Sequence, residues 1–173
     1  IIKIPSAHNL DFPLLDVVCK KHKGEIHIST GMTSKKEIDE IIDYLRLKKK
    51  LKKTVIYYCV SSYPAKDNDL CIYEVREFYK KYNKEILGIG FSGHHQGIAI
   101  DIAALTLGAR YFERHFTLDR TWKGTDHAAS LEPEGLRRLN RDIKAVNVTL
   151  KNWDGKFVKS EQIQRNKLKK IIK

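Results

Sequence analysis

Short apolar, β-rich runs recur along this chain at near-even intervals, with segments of helical periodicity between them. That alternation limits the fold more than any other feature. The runs cover residues 1–4, 25–29, 54–60, 86–91 and 110–116, and their starts lie about 24 to 32 residues apart, the length of a βα repeat. Between the first two, Phe12, Leu15, Val18 and Cys19 are spaced for one helix face. Residues 33–49 open with Ser34-Lys35-Lys36-Glu37, a capping-box pattern, and then place Ile38, Ile41, Ile42 and Leu45 on one side. Residues 70–82 repeat the theme with Val75, Phe78 and Tyr79. Residues 96–108 are small and apolar almost all round, which predicts a well-buried helix ended by Gly108. Leu131-Glu132-Pro133-Glu134 opens a last helix that runs to about residue 148.

Near-continuous apolar strands alternating with helices predict an α/β fold with a parallel sheet covered on both faces. The strand ends choose between a doubly wound sheet and a barrel. Each finishes in a polar cluster: Ser6, Ser29-Thr30, Ser61-Ser62-Tyr63, Ser92-Gly93-His94 and His115. A doubly wound sheet concentrates such groups at its switch point, whereas in a barrel the C-terminal end of every strand looks onto one site. All five ends are polar, which favours a (β/α)₈ TIM barrel. Five strands do not close one and its usual length is about 250 residues, so the expectation is a chain that lacks roughly three preceding βα units. Residues 1–150 are read as barrel and residues 151–173 as a basic linker or tail.

With 42% hydrophobic residues the 173-residue chain can bury a real core. No run of about 18 apolar residues occurs, which argues against a membrane-spanning helix, and the opening residues do not form a signal peptide. The formal charge of +12 invites a nucleic-acid reading, but thirteen of the 33 basic residues fall in 46–53 and 156–173, one helix end and one tail. No basic groove with interleaved aromatics accompanies them, so nucleic acid is not the expected partner. Cys19, Cys59 and Cys71 share no metal-ligand spacing and read as buried free thiols in a reducing, cytoplasmic setting.

Serines at successive strand ends, with Lys3 beside them, can make a phosphate site: hydroxyls and backbone N–H groups donate to the oxygens and the ammonium supplies a charge. His94 and His115 close consecutive strands and are placed to share a metal ion, although His95 and His127 compete for that role. Imidazole nitrogen suits Mn, Fe, Co or Zn better than Mg or Ca. Asp126, in the loop after the last strand, could bind a sugar hydroxyl or act as a base.

Six stretches together resemble the N-acetylneuraminate (sialic acid) synthase family: Lys3-Ile4-Pro5-Ser6, Ser29-Thr30-Gly31-Met32, Cys59-Val60-Ser61-Ser62-Tyr63-Pro64, Gly90-Phe91-Ser92-Gly93-His94, Glu113-Arg114-His115-Phe116-Thr117-Leu118-Asp119 and Gly124-Thr125-Asp126-His127-Ala128-Ala129-Ser130-Leu131-Glu132-Pro133. They cover about residues 1–148 in family order. The resemblance implies a TIM barrel of which this chain holds strands four to eight, in a cytoplasmic enzyme that is a homodimer when full length. It also implies the reaction. Carbon 3 of phosphoenolpyruvate attacks the open-chain aldehyde of N-acetylmannosamine or its 6-phosphate, water adds to carbon 2 and phosphate leaves, giving N-acetylneuraminate or its 9-phosphate. A divalent metal, manganese first with magnesium or cobalt as alternatives, polarises the aldehyde. Residue by residue, His94 and His115 match the metal-binding histidines, and Lys3, Ser6, Ser29 and Ser92 match positions that hold phosphoenolpyruvate. Ser61 stands where some members have a contacting Asn, and Tyr63 and Asp126 match positions lining the amino-sugar pocket. His94, His115 and Asp126 are thus the catalytic candidates.

The chain departs from the family pattern at Gly93, where many members have Asp, at His95 and at His8. It also lacks the family's first three strands and its C-terminal antifreeze-like domain, towards which residues 151–173 resemble the linker, so the fragment alone is expected to be inactive. The alternatives are a synthase of a related nonulosonate (legionaminic acid, pseudaminic acid or a spore-coat sugar acid), a non-catalytic polyanion-binding domain, and a half-barrel oligomerisation module.

Overall fold

The structure is a computed structural model and describes residues 1–170. The five runs become strands β1 (Ile2–Ile4), β2 (Ile26–Ser29), β3 (Thr54–Cys59), β4 (Gly88–Gly93) and β5 (Tyr111–Arg114). They form one sheet in chain order with every neighbouring pair parallel. Helices α1 (Phe12–Lys21), α2 (Lys35–Leu47), α3 (Tyr73–Tyr82) and α4 (Ala99–Thr106) are the crossovers that parallel pairing demands. Helix α5 (Pro133–Asn147) follows β5, and α6 (Lys159–Leu168) lies in the basic tail, exposed along most of its length. The last three residues of that tail, 171–173, lie outside the described residues.

A single contact shows that the sheet curls. Four strand-to-strand steps of about 4.8 Å would hold β1 and β5 roughly 19 Å apart in a flat sheet. Lys3 of β1 nevertheless reaches Glu113 of β5 at 3.0 Å. The sheet is therefore an arc of a barrel, five βα units of the (β/α)₈ form.

The two faces of the arc differ. Ile4, Ile26, Ile28, Ile56, Ile89 and Phe91 pack outward against Leu15 and Val18 of α1, Ile38, Ile41, Ile42 and Leu45 of α2, and Val75, Phe78 and Tyr82 of α3. The alternate positions carry Lys3, His27, Ser29, Tyr57, Ser92, Tyr111 and Glu113. These touch one another across the inner face, through contacts such as Tyr57 Oη to His27 Nδ1 at 2.8 Å and the edge-on packing of His27 on Tyr111. The expectation of apolar cover on both faces therefore holds only for the helix side. The inner side is polar because it lines a cavity.

Helix α2 begins at the capping box: Ser34 Oγ accepts from the Glu37 N–H while Glu37 accepts from the Ser34 N–H. Strand β4 runs two residues later than its apolar run suggested, because pairing with β3 sets its register and puts Gly88 and Gly90 on the inner face. A Cβ at Gly90 would lie 2.4 Å from the Tyr57 ring, and one at Gly88 2.6 Å from Tyr111, so glycine there makes room for two tyrosines. Strand β5 is shorter than its run, since the chain bends so that Phe116 bridges to Leu131. Helix α4 is a correction: only Asp101, Ala104 and Leu105 of it are buried, and it starts after Gly97, which has φ +78°, rather than at Gln96. Gly108, at φ +115°, follows it as expected. Cys19 and Cys59 are buried free thiols, but Cys71 is exposed. Among the described residues no helix is long and apolar enough to cross a membrane.

Candidate functional site

The C-terminal ends of the strands converge on one cavity of about 380 Å³. On its floor Lys3 Nζ donates to Ser29 Oγ at 2.7 Å and to Glu113 Oε1 at 3.0 Å, and Ser92 Oγ donates to the same carboxylate oxygen at 2.8 Å. Four strands contribute to this cluster, each through the residue that the pleat turns inward at its end. Ser6 follows β1 and accepts the Gly31 N–H at 3.0 Å, and Ser61 lies across from it, 3.9 Å from the Cys59 sulfur. A Cβ on Gly31 would come within 2.2 Å of Ser61 Oγ and 2.8 Å of Ser6 Oγ. Only glycine leaves both hydroxyls where they are.

His94 and His115 line the same cavity, their rings 5.2 Å apart. His94 Nδ1–H donates to the Val60 carbonyl at 2.7 Å, which assigns the proton to Nδ1 and leaves Nε2 with a free lone pair. Burial pulls both imidazoles below their ordinary pKa, and His115 is pushed further by its neighbour His94, so both are neutral near pH 7. Tyr63 packs on both rings, at 4.3 Å from His94 and 5.6 Å from His115. Burial raises its phenol pKa, keeping the hydroxyl protonated.

Asp126 is exposed on the β5–α5 loop, with Oδ2 3.6 Å from His115 Nδ1, at the rim rather than the wall of the cavity. The competing histidines are elsewhere. His127 Nδ1 bonds Thr117 Oγ1 at 2.8 Å within its loop, and His95 is fully buried beneath Phe91. All nine site residues read from the sequence therefore gather at one end of the sheet.

Two more residues belong with them. Glu113 of β5 stands two positions before His115, which follows that strand, and so on the same face, a signal that the period of two carries. Asn9, next to His8, is the second. It is buried and donates to the Ser29 carbonyl at 2.9 Å and to Thr33 Oγ1 at 2.6 Å, tying the loop after β1 to the loop after β2. No spacing rule exposes a bond of that kind.

The model of the NeuB family matches residues 1–155. The chain belongs to that family. Human N-acetylneuraminate-9-phosphate synthase is 36% identical over 171 residues, 98% of this chain and 46% of the relative. The N,N'-diacetyllegionaminic acid synthase of Campylobacter jejuni is 35% identical over 173 residues, 99% of this chain and 51% of the relative. Among solved structures, an N-acetylneuraminic acid (sialic acid) synthetase from Leptospira borgpetersenii in complex with citrate superposes with a TM-score of 0.81 at 31% identity, covering 96% of this chain and 57% of that one. The chain spans about half the length of the curated relatives it matches.

The donor set of this NeuB-family site fits a divalent metal only in part. Two neutral imidazoles side by side suit a borderline transition ion. Among the described residues, however, no group of three or more His, Cys, Asp or Glu side chains is gathered as a complete metal site. His94 and His115 would hold such an ion from one side, with oxygen atoms of the reactants or water completing its shell.

Proposed function

We propose that this chain forms the phosphoenolpyruvate-binding and metal-binding part of a nonulosonate synthase, which condenses phosphoenolpyruvate with an N-acetylated amino sugar and releases phosphate. The observation that carries the reading is the meeting of Lys3, Ser29, Ser92 and Glu113 with His94 and His115 in one cavity. N-acetylmannosamine or its 6-phosphate is the first choice of sugar, giving N-acetylneuraminate or its 9-phosphate. A diacetamido sugar is the second, because the legionaminic acid synthase is as similar to this chain as the human enzyme is.

In this mechanism Lys3 and the hydroxyls of Ser6, Ser29, Ser61 and Ser92 bind the phosphate and carboxylate oxygens of phosphoenolpyruvate. Lys3 already has a partner in Glu113, so an arriving dianion competes with that carboxylate for the ammonium. Glu113 thereby balances the charge of Lys3. A divalent ion held by His94 and His115 would supply Lewis acidity at the sugar's aldehyde oxygen. Tyr63 packs over both imidazoles and limits their rotation. Asp126, at the rim, accepts a proton from a sugar hydroxyl or orients it. Carbon 3 of phosphoenolpyruvate bonds to the aldehyde carbon, water adds at carbon 2, and the C–O bond to phosphate breaks.

The test is phosphate release by the full-length protein from phosphoenolpyruvate, measured with and without each sugar and with and without Mn²⁺. Release is expected only when all are present, and His115→Ala should remove the metal-dependent part. Undiminished metal-dependent turnover in that variant would refute the metal assignment.

A further inference from the structure

His94-His95 and Arg114-His115 are two dipeptides at the ends of β4 and β5, and the backbone turns the members of each to opposite sides. His94 and His115 line the cavity. His95 and the guanidinium of Arg114 meet behind it, where Asp101 from the first turn of α4 joins them. Asp101 Oδ2 accepts from Arg114 Nη1 at 2.6 Å and lies 3.3 Å from His95 Nε2. The guanidinium also donates to the carbonyls of His95 at 2.7 Å and Gly97 at 2.9 Å. The side chains of His95 and Asp101 are completely buried, and that of Arg114 is 3% exposed.

Such a cluster is a poor choice for stability alone. A buried ion pair repays its desolvation only when its polar atoms are fully bonded. Among the described residues, His95 Nδ1, Asp101 Oδ1 and Arg114 Nε find no protein hydrogen-bond partner. Apolar side chains of similar volume would hold α4 against the sheet at least as well. What they could not supply is direction. The planar fork of one arginine grips two carbonyls and a carboxylate, which fixes the turn at 95–97 relative to β5 within the narrow tolerance of charged hydrogen bonds. His94 is covalently joined to that turn and His115 to that arginine. The hydrogen bonds of His94 itself run to the loop after β3, from its ring to the Val60 carbonyl and to its carbonyl from the Ala65 N–H.

We infer that the His95–Asp101–Arg114 cluster is a positioning device that sets the separation of the His94 and His115 imidazoles for a divalent cation. The inference rests on the proposed reading of those two histidines as cation ligands. Partners that orient metal ligands typically change metal affinity by about 10- to 100-fold when removed.

The experiment titrates Mn²⁺ alone into the full chain, followed by water-proton relaxation, with thermal melting recorded for every variant. Asp101→Asn and the paired change Asp101→Leu with Arg114→Met are each expected to weaken Mn²⁺ binding by about 10- to 100-fold. The paired apolar variant should still unfold cooperatively, and its loss of Mn²⁺ affinity read beside its melting temperature separates position from stability, since it also gives up the bonds to the His95 and Gly97 carbonyls. Val75→Ala, in the core of α3, should lower the melting temperature and leave Mn²⁺ affinity unchanged. Replacing His94 and His115 together by Ala tests the underlying reading, and unchanged binding there would remove that reading along with this inference. If that double variant loses Mn²⁺ while the Asp101 variants bind it within twofold of the parent, the inference alone is overturned.

Discussion

At the residue scale the site depends on small groups in fixed places. Lys3, Ser29, Ser92 and Glu113 are linked in one run of charged hydrogen bonds on the cavity floor, and its members come from four strands. Gly31 shows how little room the wall has. Gly31→Ala puts a methyl against the Ser6 and Ser61 hydroxyls, both at the ends of rotatable side chains that can swing aside. The expected outcome is a fold that melts near the parent temperature and a KM for phosphoenolpyruvate raised at least about tenfold, a loss of roughly 1.4 kcal/mol in binding. Steady-state kinetics beside a melting curve would check both halves.

At the element scale the helices are held to the sheet by apolar burial and to one another by a few ion pairs. Asp16 of α1 accepts from Lys20 on its own helix and from Lys48 just past the end of α2. Those two bonds pull its pKa from 3.8 to about 2. The sign follows from the depressed value. The contribution of Asp16 is complete above its unfolded pKa of 3.8 and fades as pH falls from there towards about 2, where the folded carboxyl protonates as well. Asp16→Asn should therefore melt lower than the parent at pH 7, with the two curves converging near pH 2. Thermal scans across that range would reveal it. Strand β4 offers a packing test. Gly90→Ala forces a methyl into the Tyr57 ring, which cannot retreat while its hydroxyl is bonded to His27. Destabilisation of about 1–3 kcal/mol is expected in a denaturant titration, and adding Tyr57→Leu should recover part of it.

At the scale of the whole molecule the described sheet has two free edges, β1 and β5, since its order runs β1-β2-β3-β4-β5 without closing. Unpaired strand edges recruit further strands. This chain by itself is expected to self-associate in a concentration-dependent way during sedimentation. A monodisperse, cooperatively unfolding monomer would contradict that expectation. A cleft between β5 and α5 is lined by Phe112, Leu136 and Leu139.

The order of strands and helices, the capping box of α2, the glycine stop after α4 and the grouping of His94, His115 and the serines at strand ends were all legible in the sequence, because each follows from local chemistry and a period of 2 or 3.6. Glu113 was within reach of the same periodicity. Tertiary structure alone decided the curl that brings Lys3 to Glu113, the two-residue shift of β4, the exposure of much of α4, and the burial of Asp101 between His95 and Arg114. Those depend on which residues far apart in the chain compete for one space and one set of hydrogen bonds, and local pattern carries no information about that competition.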